Sequence, residues 1–85
     1  NLGGGIWNSG SVDLTSSSLS GNSAQTNGGG IYNRGSLTLS FSTITLNTAS
    51  VRGGGIFNYT GFTAVLTSST VSGNTAGVQG NDIFP

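Results

Sequence analysis

Six hydroxyl side chains stand in pairs around a single apolar residue, in Ser18-Leu19-Ser20, Thr43-Ile44-Thr45 and Thr70-Val71-Ser72. On an extended chain alternate residues share a face, so each triplet turns two hydroxyls one way and an apolar side chain the other. Nothing nearby can activate those hydroxyls. The 85 residues include no His, Lys, Glu, Cys or Met, which removes the usual general bases, thiol nucleophiles and zinc ligands together. The ionised side chains are Asp13, Asp82, Arg34 and Arg52, with a net charge of zero. Two carboxylates at opposite ends of the chain do not make an acid and base pair or a calcium cluster. No catalytic residue, cofactor site or metal site is therefore expected. Two arginines form no basic patch, so nucleic-acid binding through counterion release is excluded as well. The array remains as a surface that can only hydrogen-bond.

The composition explains how such pairs come to be spaced. There are 16 Gly, 14 Ser, 11 Thr and 9 Asn, more than half the chain, yet Ile, Leu, Val and aromatic residues recur at regular intervals, as they do not in disordered segments. Gly3-Gly4-Gly5-Ile6-Trp7-Asn8 returns as Gly28-Gly29-Gly30-Ile31-Tyr32-Asn33 and as Gly53-Gly54-Gly55-Ile56-Phe57-Asn58, each 25 positions on. Leu19-Ser20-Gly21-Asn22-Ser23-Ala24 likewise matches Ile44-Thr45-Leu46-Asn47-Thr48-Ala49 and then Val71-Ser72-Gly73-Asn74-Thr75-Ala76; the last step is 27, which places a two-residue insertion between Asn58 and Ala64. The single domain of residues 1–85 thus divides into repeats at 3–27, 28–52 and 53–79, with a partial fourth at 80–85 that opens on Gly80-Asn81-Asp82-Ile83-Phe84.

A period in the twenties marks a solenoid. Helical units are excluded by the Gly, Ser, Thr and Asn content and by the lack of an i, i+3, i+4, i+7 apolar set. Alternation with period two appears in Val12-Asp13-Leu14, Leu37-Thr38-Leu39 and Ala64-Val65-Leu66, bounded by Ser9-Gly10, Arg34-Gly35 and Thr60-Gly61. Three short strands per unit are predicted, near Gly5 to Trp7, Val12 to Thr15 and Ser18 to Ser20 in the first. Stacked units would pair like strands in parallel, about 4.8 Å apart. A leucine-rich repeat fits poorly, because no further Leu spacing follows Leu37-Thr38-Leu39, and an antiparallel meander needs no fixed step of 25. A period that is not a multiple of six also argues against a left-handed hexapeptide helix.

These repeats resemble the right-handed parallel β-helix repeats of bacterial surface proteins. They are similar to those of chlamydial polymorphic outer membrane proteins, with their GGA-I and F-x-x-N motifs, and to the β-helix repeats that accompany CSLREA-type segments. The resemblance covers essentially the whole chain. It implies an all-β right-handed solenoid of about three coils plus the start of a fourth, an extracellular or cell-surface location, and a structural or adhesive role. The absence of cysteine leaves the compartment open. No apolar run reaches the roughly 18 residues of a membrane span, and a chain opening on Asn1 with no charged and apolar leader is expected to be a mature product or an excised fragment.

Within that fold each column carries an expectation. Asn22, Asn47 and Asn74 follow a strand at a turn, where Asn tolerates the left-handed conformation and its amide can bond the Asn above and below, giving a structural ladder. Asn8, Asn33 and Asn58 form a second. The triple glycines give room for a tight corner, since neither a helix nor a Lys follows to make them a phosphate cradle. Asn58-Tyr59-Thr60 matches a glycosylation acceptor by pattern alone. With Ile6, Ile31, Ile56 and Ile83 inward, Trp7, Tyr32, Phe57 and Phe84 turn outward as an exposed aromatic stripe, suited to a flanking segment, a neighbouring copy or a glycan; in the opposite phase the rings belong to the core. Ser18, Ser20, Thr43, Thr45, Thr70 and Ser72 form a flat hydroxyl array similar to the ice-binding faces of some β-helical antifreeze proteins, although three of the six lack the methyl of Thr. Two open sheet edges, Asn1-Leu2 without a polar cap and an unfinished fourth coil point to stacking end to end with further coils of the same chain or with other copies.

Overall fold

The computed structural model describes residues 4–84. The first coil contributes β1 (Ile6–Asn8), β2 (Ser11–Thr15), β3 (Ser18–Ser20) and β4 (Ser23–Ala24). The second contributes β5 (Ile31–Asn33), β6 (Ser36–Ser40), β7 (Thr43–Thr45) and β8 (Thr48–Ala49). The third contributes β9 (Ile56–Asn58), β10 (Thr63–Thr67), β11 (Thr70–Ser72) and β12 (Thr75–Ala76), and β13 (Ile83–Phe84) begins a fourth. Like strands stack in parallel into four sheets, β1-β5-β9-β13, β2-β6-β10, β3-β7-β11 and β4-β8-β12. The chain is an all-β parallel solenoid of about three turns, as its period predicts.

Each coil carries four strands where the sequence alone suggested three, and the first strand begins at Ile6 rather than Gly5. The fourth is only two residues long, too short to show alternation, and comes from the coil-to-coil pairing of Ala24, Ala49 and Ala76. Repeat register is exact along the stack: Ile6, Ile31, Ile56 and Ile83 share a row, as do Leu14, Leu39 and Leu66, and Leu19, Ile44 and Val71. Ile31, Leu37, Leu39, Ile44 and Ile56 make the buried core, and Ile6, Val12, Leu14, Leu19, Ala64, Leu66 and Val71 pack on it from the coils at either end. The insertion folds out as a turn after β9, with Gly61 at φ 90° and the Phe62 N–H donating to Tyr59 O at 3.1 Å. Register resumes at Thr63 against Ser36.

Each corner has its own device for satisfying buried polar groups. At the first, Asn8 Nδ2 donates to Asn33 Oδ1 at 2.8 Å and Asn33 Nδ2 to Asn58 Oδ1 at 2.7 Å. At the second, Ser16, Phe41 and Ser68 take positive φ of 49°, 51° and 48°, and the serines that follow form a ladder: Ser17 N–H donates to Ser42 Oγ and Ser42 N–H to Ser69 Oγ, both at 3.1 Å. The third repeats that construction with Gly21, Leu46 and Gly73 at positive φ before Asn22, Asn47 and Asn74. The left-handed residue is therefore the one before the Asn, not the Asn itself, which frees the Asn side chain to point inward. At the fourth the glycines pair through backbone, Gly28 N–H to Arg52 O and Gly29 N–H to Gly53 O at 3.0 Å each. A Cβ on Gly29 would be driven into the carbonyl oxygens of Gly54 and Thr48, so only glycine allows this approach.

Candidate functional site

The hydroxyl face is built by β3, β7 and β11, where in-register pairing aligns Ser18 with Thr43 and Thr70, and Ser20 with Thr45 and Ser72. Ile44 between them is fully buried, which anchors the middle strand and turns its two threonines away from the core. Ser18, Ser20, Thr70 and Ser72 are exposed, and Thr43 and Thr45 are intermediate. Two residues that sequence reasoning passed over frame this face: Phe41 is 67% exposed and Leu46 is 70% exposed, both at positive φ. The other coils place Ser16 and Ser68, or Gly21 and Gly73, at those positions. A bulky apolar residue in that conformation costs on the order of 1 kcal/mol or more. The departure from the column was visible in the repeat alignment, but the positive φ that makes it costly was not.

The aromatic column stacks continuously. Ring centroids of Trp7 and Tyr32 lie 6.3 Å apart, Tyr32 and Phe57 5.1 Å, and Phe57 and Phe84 5.5 Å. It is not the open stripe that strand alternation suggests. Tyr32 and Phe57 are buried, at 6% and 7% exposure, and Trp7 is the exposed member at 49%. Period two fixes which side of its own strand a ring occupies, but a ring between two others loses both faces to them. Beside the column, Tyr59 of the insertion packs on Phe57 and Phe62, Arg34 lies 4.8 Å over the Tyr59 ring, and Arg52 lies 5.4 Å over Phe84. Both arginines thus pack on aromatic faces.

The third-corner ladder runs in one direction. Asn22 donates to Asn47 Oδ1 through its backbone N–H at 2.9 Å and its Nδ2 at 3.1 Å, and Asn47 donates to Asn74 Oδ1 at 2.9 and 3.0 Å. Asp82 joins it: Asn74 donates to Asp82 Oδ1 at 3.0 and 3.1 Å. Sequence reasoning treated Asp82 as an isolated carboxylate, because its place in the repeat is a glycine place and not an asparagine one. Asp13 lies on β2 in the row of Thr38 and Val65. At the acceptor pattern, Asn58 Nδ2 donates to Phe62 O at 2.9 Å while its Oδ1 receives Asn33, so the amide nitrogen is engaged in the fold. Asn1, Leu2, Gly3 and Pro85, including the uncapped start expected at Asn1-Leu2, lie outside the described residues.

Among the described residues no three His, Cys, Asp or Glu side chains gather at metal-binding distance, the surface has no pocket, and no helix is long and apolar enough to cross a membrane. Residues 16–34 match the model of the Chlamydia polymorphic membrane protein repeat. That stretch spans β3, β4 and β5 with the Asn22 rung and the second triple glycine, and so covers the third and fourth corners of the first coil. No curated protein and no solved structure matches the chain. With the parallel solenoid, the match supports a β-helix repeat protein resembling chlamydial polymorphic membrane protein repeats.

Proposed function

We propose that this chain is a non-catalytic structural segment of a cell-surface β-helix, a rigid stalk with an adhesive or scaffolding role that stacks with further coils of its own chain or with another copy. The observation that carries this reading is the gradient of burial along the stack. Leu39 and Ile44 of the middle coil are wholly buried, whereas Leu14 and Leu19 in the same rows of the first coil are half-buried. Apolar rows that end half covered are completed by another coil. The polymorphic membrane protein repeat supports the surface location, and four charged residues in 85 offer little repulsion to a neighbour. Sedimentation velocity of the 85-residue chain over a concentration series tests it. Weight-average mass that rises with concentration is expected, and a monomer at every concentration overturns the reading.

A second reading, ice binding, draws on the in-register hydroxyl rows of β3, β7 and β11. Thermal hysteresis that disappears in Thr43→Lys/Thr45→Lys at unchanged Tm would establish it, and its absence in the parent chain removes it. A glycan platform on the aromatic column has less support, since Trp7 is its exposed ring.

A further inference from the structure

The fourth unit departs from the glycine pattern at two places. Asn81 and Asp82 stand where the second and third coils have Gly29-Gly30 and Gly54-Gly55. In those coils neither position has room for a side chain. A Cβ on Gly54 would be driven into the carbonyl oxygens of Asn81 and Thr75. One on Gly30 would lie 2.6 Å from Gly55 O, in the coil that follows, and 3.2 Å from Asn47 Nδ2, the asparagine rung of its own coil. A side chain at these positions is therefore compatible with neither an overlying coil nor an inward Asn later in the same turn.

The two side chains that do occur there are both used. Asp82 Oδ1 accepts the backbone N–H and Nδ2 of Asn74 at 3.0 and 3.1 Å, the same pair of bonds that Asn47 Oδ1 takes from Asn22 and Asn74 Oδ1 takes from Asn47. Asn81 Oδ1 accepts the Ala76 N–H at 2.9 Å. We infer that Asn81 and Asp82 terminate the coil stack: the Asp82 carboxylate supplies the last rung of the asparagine ladder, and the C-terminal face is closed to a further coil, whether of this chain or of a second copy.

The chemistry accounts for the choice of residue. In a ladder whose rungs each donate to the next, the final Asn presents a backbone N–H that needs an acceptor and an Nδ2 that also reaches Ile44 O and Ser72 O at 3.0 and 3.1 Å. An ionised carboxylate accepts and does not donate, so it satisfies both and offers no N–H to an incoming asparagine oxygen. The opposite face carries no such substitution, since Gly4 and Gly5 keep the glycine pattern. Extension is polar: coils add at the N-terminal face, and two copies can meet only through that face, an isologous contact that closes at two. The closure of one face rests on the stalk reading only for the existence of a stack.

Two measurements test the inference separately from that reading. In Asp82→Ala, hydrogen exchange at the Asn74 amide is expected to speed up at least tenfold and Tm to fall by about 5 °C, as for a part-buried backbone N–H left without its acceptor, while Asn74 Nδ2 keeps Ile44 O and Ser72 O. Asp82→Asn keeps Oδ1 and is expected to restore both. Unchanged Asn74 protection in Asp82→Ala overturns the terminal rung. For the closure, residues 28–79 are repeated directly after Gln79, and the same extension is made with Gly29→Asn and Gly30→Asp in the added copy. The first is expected to unfold in one transition and the second in two, and a single transition for both overturns the closure. In sedimentation the parent chain is expected to stop at two copies and Asn81→Gly/Asp82→Gly to grow beyond it. Parent polymers as long as the variant's overturn the closure while leaving the stalk reading intact, and a parent that never associates overturns the stalk reading, with the extended chains still deciding the closure.

Discussion

The middle coil and the first coil are built on one pattern and sit in one register, yet they differ in burial. Ile31, Leu37, Leu39 and Ile44 are fully buried, while Ile6, Val12, Leu14 and Leu19, their partners row by row, are half-buried. The side chains point the same way in both coils. What separates them is a second neighbour along the axis, so in this fold burial belongs to position in the stack. The same contrast holds along the third-corner ladder, with Asn47 buried between two asparagines and Asn22 half-buried at the end, but not at the first corner, where Asn8 is buried in the first coil itself. A stack of this kind has nearest-neighbour energetics, and the middle coil carries two interfaces where each outer coil carries one full interface.

That comparison is open to substitution. The largest effect is expected for Ile31→Asp, which places a carboxylate in a row with no partner for it. The cost of several kcal/mol should exceed the stability of the chain and abolish cooperative unfolding by circular dichroism, whereas Ile6→Asp should leave a folded protein. Equal outcomes for the two would break the distinction between coils. Next, Leu39→Ala should cost about 2–5 kcal/mol in chemical denaturation and Leu14→Ala about half as much, since the second removes contacts on one side only. Asn47→Ala strips the acceptor from both Asn22 donors, for an expected loss of about 1–3 kcal/mol, against less than about 1 for Asn22→Ala. The smallest change is a gain. Leu46→Gly puts the residue of Gly21 and Gly73 at a φ of 56°, and thermal denaturation should show about 1 kcal/mol of added stability. A loss there would mean that the exposed Leu46 side chain makes a contact worth more than its backbone strain.

Much of the fold was legible because a fixed step of 25, shifted once to 27, admits few three-dimensional solutions. The inward rows of Ile31, Leu39 and Ile44, the parallel pairing and the asparagine ladders all follow from identity at that step. The candidate site was legible only in part. The hydroxyl rows could be written down from Ser18, Thr43 and Thr70, but their apolar frame at Phe41 and Leu46 could not, because neither residue type announces a left-handed backbone. The serine ladder through Ser42 was hidden among 14 serines, only some of which point inward.

Periodicity in the chain is enough to specify the solenoid, its register and which side chains face inward, because each of these depends on neighbours one strand or one coil away. The closing of the aromatic column around Tyr32 and Phe57, the fourth short strand and the engagement of Asp82 by Asn74 are properties of coils in contact. Asp82 stands in a glycine column, eight positions beyond the Asn whose ladder it completes, and no spacing rule joins the two. The path of the backbone around the last corner does, by bringing the carboxylate to the place where the next asparagine would have been.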